Sequence, residues 1–430
     1  MNFLAITKKE FERNLSDNFS FENEPHIGIC VSGGSDSMAL LFLMKEWIKK
    51  VNGKLLALHF DHNLRSESNF ESKVLEKRVE KFGVDFVNLT WNHNKINSRI
   101  MELARVERYK QIISHCKKLK IIHLMTAHNL DDNLETFTMR KNRDITSLGL
   151  SSIPKIRVVD DLRIIRPLLT YTKARLEATC KKYKIQCFID RSNFDEKFER
   201  VRVRNLLKSK SAKSINLINR DFNRKKDINS YKEEQILNFF CEELSFYDYG
   251  VFKISRKKFD EQPKTLKVEI LKKILTTSGG KDFSPKKKSI LFFLNLTLRN
   301  QSFNFTLHTC LLKVSSNYIE IFKEVLDKHN VEKFILKKGK KILWQNRFLV
   351  ESKTHDIEIN SISQKNWPSL KKKKELKNSD LNFLIVQSLP LFLYKGVKIV
   401  PFLSNKKQLE NLGIKFYFHP KVPLHKKNFF

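Results

Sequence analysis

Cysteine is scarce in this 430-residue chain: Cys30, Cys116, Cys180, Cys187, Cys241 and Cys310 are scattered and never fall in Cys-x-x-Cys spacing. That pattern argues against a zinc ribbon, an iron–sulfur site and a disulfide framework. The N-terminal stretch MNFLAITKKEFERN has no basic-then-apolar signal pattern. The apolar run near the glycine loop, Met38–Met44, is far too short to span a bilayer. A cytoplasmic protein with no membrane partner is therefore expected. Acidic residues are short in supply too: 47 Asp and Glu face 82 Lys and Arg, for a net charge of +35 and a pI near 9.8. A partner rich in negative charge is implied, RNA or DNA first. The chain is also rich in Lys, Asn, Ile and Phe throughout, so composition bias supplies part of the lysine excess. No internal repeat is visible, and the length predicts two or three domains.

What is present centres on His26–Ser37, HIGICVSGGSDS. Ile27, Ile29 and Val31 make the short apolar run of a buried parallel strand. The run breaks at Ser32-Gly33-Gly34-Ser35-Asp36-Ser37. Leu40, Leu41, Met44, Trp47, Ile48 and Val51 then recur at helical spacing. Strand, glycine loop and helix together aim free backbone N–H groups and the positive helix end at an anion. The hydroxyls of Ser32, Ser35 and Ser37 add donors, and Asp36 can hold a magnesium ion or order the loop. An ordinary tight turn with a serine cap has the same composition. The spacing is neither Walker, with no Gly-Lys-Ser/Thr, nor Gly-x-Gly-x-x-Gly.

Further strands are expected at Lys54–His59, Val84–Leu89, Lys120–Thr126 and within Arg163–Leu169, with helices near 66–82 and 98–118. Alternating strands and helices predict a parallel sheet that binds ligands at the carboxyl ends of its strands. Two constellations fall there. In Thr126–Thr136, TAHNLDDNLET, Asp132 and Glu135 share a helix face, although carboxylates also favour a helix's first turn without any chemistry. In Met101–Lys110, Arg105 and Arg108 lie one turn apart, as they would on a solvated face.

The loop SGGSDS resembles the pyrophosphate loop of the N-type ATP pyrophosphatases, which split ATP into AMP and pyrophosphate. The ordered set SGGSDS, LHFDHNLR, MELARVERYK, TAHNLDDNLET, RIIRPLL and IDRSNFDEKFERVRVR resembles tRNA(Ile)-lysidine synthase from about residue 26 to 207. In the C-terminal half only Leu389–Phe402, LPLFLYKGVKIVPF, does so. The resemblance implies an ATP-dependent ligase that adenylates carbon 2 of the wobble cytidine in an isoleucine tRNA with a CAU anticodon. Free L-lysine is then attached to give lysidine, and decoding moves from AUG to AUA. It further implies that Ser32, Gly33, Gly34, Ser35, Asp36 and Ser37 hold ATP, with Mg2+ on Asp36. His128, Asp132 and Glu135 would line the lysine and reaction site, and Arg108 and Arg200 would steady phosphate or developing charge.

Those residue types suit the chemistry. Donors around phosphate stabilise charge built up in adenylation. Lysine's amine, with an ordinary pKa of about 10.4, arrives protonated, and a carboxylate pair can bind it and take its proton. One departure stands out: the family's Arg-Gly-small-Gly is replaced here by Arg140–Leu150, RKNRDITSLGL. Altered contact with the anticodon loop and surface drift both fit that change.

The expected architecture is α/β: a parallel-sheet, Rossmann-like ATP pyrophosphatase domain at 1–215, a mainly helical tRNA-binding domain at 225–328, and a small α+β C-terminal domain at 345–430 that also binds tRNA. Ser211–Asn229 reads as a linker. A hairpin is expected through Thr306–Val314 and Tyr318–Phe322, and Lys371–Lys374 is a candidate RNA-backbone contact. The resemblance allows a homodimer. The rival readings are a tRNA thiolase of the same fold and a non-catalytic RNA-binding relative.

Overall fold

The apolar run around Ile27 and Ile29 forms β1 (His26–Cys30), the centre of a six-stranded sheet. In this computed structural model the residues described are 4–64, 67–93, 100–142, 153–159, 162–188, 199–299, 301–325, 333–362, 367–371, 383–402 and 406–424. The chain divides into two compact units, Met1–Asn229 and Ser230–Phe430.

In the first unit, α1 (Lys8–Asn18) precedes β1 and is capped by Thr7, whose hydroxyl accepts from the Glu10 amide. After β1 come α2 (Ser35–Ile48), β2 (Lys54–Asp61), α3 (Ser68–Glu80), β3 (Asp85–Thr90), α4 (Ile100–Lys118) and β4 (His123–Met125). Next follow α5 (Leu130–Asn142), β5 (Ile156–Val159), β6 (Leu162–Ile165), α6 (Lys173–Lys182) and α7 (Glu199–Lys208). The strand order is β3-β2-β1-β4-β6-β5, parallel except for the edge pair β5 and β6. Ile27 pairs with Leu55 on one side and His123 on the other, so the order reverses at β1 and β4. A crevice opens at such a reversal, outside the carboxyl ends of the strands. α2 is buried on several sides, with Met38, Ala39, Leu40, Leu41 and Met44 in the core beside Ile27, Ile29 and Leu176.

The expected linker is instead helix. α8 (Ala212–Glu243) runs through Ser211–Asn229. Ile218 and Phe222 lie four residues apart in that polar stretch and pack on Leu134, Phe137 and Leu207. Phe222 meets the Phe137 ring edge-on at 5.6 Å. Two apolar side chains at helical spacing are enough to dock a helix that composition alone reads as loop.

The second unit carries more sheet than the helical pattern predicts. β7 (Leu244–Tyr247), β8 (Val251–Ser255), β9 (Phe303–Leu307), β10 (Cys310–Val314) and β11 (Tyr318–Lys323) form an antiparallel sheet in the order β7-β8-β11-β10-β9. α9 (Arg256–Glu261), α10 (Lys264–Gly279) and α11 (Lys287–Arg299) accompany it. The expected turn at Ser315–Asn317 joins β10 to β11. The first arm of that hairpin, however, is two strands, split at His308 and Thr309, which both take left-handed φ values of +55° and +60°. Further on, β12 (Lys333–Leu336), β13 (Lys341–Trp344), β14 (Phe348–Ser352), β15 (Ile357–Ser361), β16 (Pro390–Tyr394), β17 (Val397–Ile399) and β18 (Ile414–Phe418) build two small sheets. They share a core that includes Trp344, Phe348, Ile359 and Phe392. Among the described residues no helix is long and apolar enough to cross a membrane.

Candidate active site

The loop that leaves β1 is built by its own hydroxyls. The Ser32 amide donates to Ser37 Oγ at 3.2 Å, and Ser37 Oγ donates to the Gly34 carbonyl at 3.0 Å. Gly33 takes φ +83°, and its carbonyl accepts from the Phe188 amide at 2.8 Å. A Cβ on Gly33 would stand 2.3 Å from Phe188 Cδ2, so glycine is required twice over, for conformation and for space. Gly34 is the N-cap of α2 and offers no side chain to cap it. The amides of the first turn of α2 are therefore left for a ligand, together with the positive helix end.

Asp36 lies in that first turn. Lys173 Nζ donates to its Oδ2 at 3.4 Å, while Oδ1 is buried without a hydrogen-bond partner. Burial raises the Asp36 pKa; Lys173 opposes the rise, and the nearby Asp132 and Glu177 add to it. A desolvated carboxylate with an orphaned oxygen suits a hard cation. Magnesium commonly takes one or two carboxylates and completes its shell with substrate phosphates and water. Among the described residues no three His, Cys, Asp or Glu side chains cluster as a metal cage. One desolvated carboxylate with a partnerless oxygen in the loop fits an ion that brings the rest of its shell with a nucleotide.

The second constellation sits where β4 runs into α5. Asn129 and Asp132 cap the helix reciprocally: the Asn129 amide donates to Asp132 Oδ2 at 2.9 Å, and the Asp132 amide to Asn129 Oδ1 at 3.1 Å. The helix-capping reading of Asp132 thus holds for one of its oxygens. The other, Oδ1, accepts from Arg200 Nη2 at 2.6 Å. Glu135 is buried and takes Arg200 Nε on Oε2 at 2.7 Å and Arg204 Nε on Oε1 at 2.6 Å. Arg200 therefore bridges both carboxylates, and its side chain keeps 41% exposure while that of Glu135 keeps 4%.

His128 accompanies this cluster, its Nδ1 within 3.0 Å of Thr126 Oγ1. Burial drives its pKa down to about 3, helped by the charges of Arg166, Arg200, Arg108 and Arg105. It is a neutral imidazole at working pH, a hydrogen-bonding group rather than a proton source. Burial likewise takes His62 down to about 4, with Arg108 adding to the effect. Arg108 and Arg105 lie beside the Tyr109 ring, 5.4 and 5.6 Å from its centroid.

All the expected site residues lie among the described ones. Asp36 and Asp132 are close enough for one charge to act on the other, and Arg200 touches Asp132 and Glu135 while acting on His128. Arg65, residues 189–198 ahead of Arg200, most of the altered loop (143–150) and Lys372–Lys374 lie outside the described residues. Sequence reasoning missed Lys173, Arg204, Phe188 and Arg166. Two of them carried a signal: Arg204 lies one helical turn after Arg200, and Arg166 stands within the RIIRPLL motif. Arg166 follows β6, is buried, and donates from Nη1 to the Pro154 carbonyl at 2.9 Å.

The chain matches a family described as PP-loop domain over residues 7–210. It is 31% identical to a tRNA(Ile)-lysidine synthase of Rickettsia bellii, covering 86% of each chain. It is 29% identical to one of Orientia tsutsugamushi, covering 96% of this chain and 97% of that protein. Among solved structures, the U34-tRNA thiolase NcsA of Methanococcus maripaludis with its [4Fe-4S] cluster is 19% identical, with a TM-score of 0.43. That likeness covers 51% of this chain and 78% of the thiolase.

Proposed function

The chain belongs to the tRNA(Ile)-lysidine synthase family, and on that footing we propose that free L-lysine is its amine donor and that Mg2+ accompanies its ATP. It is an ATP-dependent ligase that forms a carbon–nitrogen bond on tRNA(Ile). The O2 of the wobble cytidine attacks the α-phosphate of ATP and pyrophosphate leaves; the amine then adds at carbon 2, the C2–O2 bond breaks and AMP departs with that oxygen, leaving lysidine. The observation that carries the reading is the meeting of two parts in one crevice. The anion loop Ser32–Ser37 and the carboxylate pair Asp132 and Glu135 stand close enough for Asp132 to push the Asp36 pKa up.

Each group then has a task. The amides and hydroxyls of Ser32–Ser37 cradle the nucleotide's phosphates, and Asp36 holds the metal that comes with them, which would neutralise phosphate charge. Arg108 and Arg200 place positive charge where negative charge builds up on phosphate in adenylation. Asp132 and Glu135 receive the lysine ammonium and take its proton, and His128 lines the site uncharged. Arg200 supports that assignment: its guanidinium bridges the two carboxylates, a cation where a substrate ammonium would lie. On this reading lysine displaces Arg200, which is then free to face phosphate.

A thiolase would need a reactive sulfur here. Cys30, at the end of β1, is pushed up to about 11 by burial against the opposing charges of Arg108 and Arg166, the reverse of an activated thiol. Cys180, whose Sγ donates to the Ser35 carbonyl at 3.3 Å, is raised as well, first by its hydrogen bond with Cys187, and the same bond lowers Cys187. The proposal also keeps the domain reading of 1–215, 225–328 and 345–430, with the two later parts binding tRNA through backbone charge. It keeps a cytoplasmic location and a homodimer, which sedimentation velocity reads directly. The test of function is incorporation of labelled lysine with ATP into tRNA(Ile) carrying CAU. Label in the wobble nucleoside is the expected result; ATP turnover with none in the tRNA would refute it.

A further inference from the structure

A cavity of about 230 Å3 lies between the start of α5, the segment around Lys155 and one face of α8. Its lining combines Lys155 and Lys226 with Asn219, Asn223 and Thr170, around an apolar wall that includes Phe222. No carboxylate is among the described residues that line it. The two lysines feel each other: burial lowers the Lys155 pKa first, and the Lys226 charge lowers it further. Lys155 Nζ also donates to Asn18 Oδ1, which is neutral and leaves the charge uncompensated. Asn219 Oδ1 is buried with no hydrogen-bond partner, an acceptor still wanting a donor. Lys155, Asn223 and Lys226 are exposed, so the cavity opens toward solvent at the Lys155 segment as well as along α8.

Each feature asks for a different part of one ligand. Two converging ammonium groups with no carboxylate among the described lining residues ask for an anion. The orphaned amide oxygen asks for an N–H donor, and Phe222 offers apolar surface. The volume is roughly seven to eight times the liquid share of a water molecule, which is more than a bare ion fills. An unstacked RNA nucleotide supplies phosphate, base-edge donor and flat apolar surface together. Single-stranded RNA is ordinarily read through bases splayed out in this way.

We infer that this cavity holds one unstacked nucleotide of the tRNA, its phosphate on Lys155 and Lys226 and its base edge on the amides of Asn219 and Asn223. The inference rests on the tRNA-modifying reading above and adds a positioning contact separate from the ATP loop. The lysines fix where the strand runs, while the amides and Phe222 take the base.

The test uses the full-length protein and a tRNA(Ile) transcript. Affinity is measured between 50 and 200 mM salt for wild type, Lys155→Met/Lys226→Met and Asn219→Ala, with ATP affinity and melting temperature followed in parallel. The double variant should bind tRNA about tenfold more weakly and flatten the log–log salt slope by roughly one, because the phosphate held by both lysines is no longer neutralised. Asn219→Ala should weaken binding with the slope unchanged, and neither variant should alter ATP affinity. If the double variant melts early, Asn219→Ala and Lys226→Met alone carry the same comparison. Wild-type affinity and slope in all variants would overturn the inference. So would a loss of ATP affinity with tRNA binding intact, which would make the cavity a free-nucleotide site. Lysine incorporation by wild type in the same reactions tests the functional reading separately.

Discussion

Arg200 spans Glu135 and Asp132, with Nε 2.7 Å from Glu135 Oε2 and Nη2 2.6 Å from Asp132 Oδ1. Arg204 completes the arrangement from the next helical turn, 2.6 Å from Glu135 Oε1. A buried carboxylate alone would be strongly disfavoured, so a cation has to be there before substrate arrives. The two arginines differ in what holds them. Arg204 is the more enclosed and meets Glu135 through both carboxylate oxygens, whereas Arg200 has an exposed outer side. On the proposed reading, Arg200 is the partner that the lysine ammonium displaces.

Arg200→Ala therefore separates competition from support. Removing the occupant should lower the KM for lysine several-fold, while adenylation slows because a phosphate-facing cation is gone. Steady-state kinetics with lysine varied at saturating ATP and tRNA reads both. A rise in the lysine KM would mean that Arg200 only holds the carboxylates in place.

Gly33→Ala should destabilise the first unit by about 2 kcal/mol or more. A left-handed alanine costs roughly 1–2 kcal/mol, and its Cβ would meet the Phe188 ring at 2.3 Å. Urea unfolding measures the loss. In a double-mutant cycle with Phe188→Ala, the alanine at 33 should cost less, with the left-handed strain remaining.

His128 gives a pH signature. Its pKa is about 3 in the folded chain against an ordinary value near 6.5. Between those values the unfolded chain takes up a proton that the folded chain refuses. The stability that comes with a neutral His128 is therefore complete above pH 6.5 and lost as pH falls toward 3. His128→Gln should flatten the stability–pH curve across that window, read by denaturant unfolding at pH 4.5 and 7.5. An unchanged curve would show that the imidazole is not held neutral.

The sheet was largely legible in the sequence because β1, β2 and β4 are buried runs flanked by turns and helices. Ile27, Ile29 and Leu124 carry that pattern plainly. The pyrophosphate loop was legible because its glycines and serines are consecutive. The carboxylate–arginine cluster was only half legible: helical spacing pairs Asp132 with Glu135, but nothing local says that Arg200 and Arg204 fold back onto them from 65 to 69 residues away. The first half of α8 reads as linker because its docking depends on few apolar side chains, Ile218 and Phe222 among them. The turn at His308 and Thr309 was missed because neither residue is the Gly or Asn that marks left-handed turn positions.

Asp36→Asn should abolish ATP-dependent turnover and raise the melting temperature. The wild-type carboxylate is desolvated, has one oxygen without a partner, and meets Lys173 only at 3.4 Å, so the folded state carries a charge it does not stabilise well. An amide keeps the shape and removes the burden, a trade of stability for function. Differential scanning calorimetry at pH 7 checks the direction, and a lower melting temperature would mean that the carboxylate organises the loop.

The assignment of the carboxylate pair to the lysine half of the reaction is tested most directly by following the two half-reactions separately in Glu135→Gln and Asp132→Asn. Adenylation of the tRNA is followed by pyrophosphate release and by AMP on the RNA; lysine transfer is followed by labelled lysine. Both variants should keep ATP binding and adenylate the tRNA, lose most lysine transfer, and accumulate adenylated tRNA. If both steps fall by the same factor in each variant, the carboxylates serve the metal or the loop, and the lysine pocket lies elsewhere.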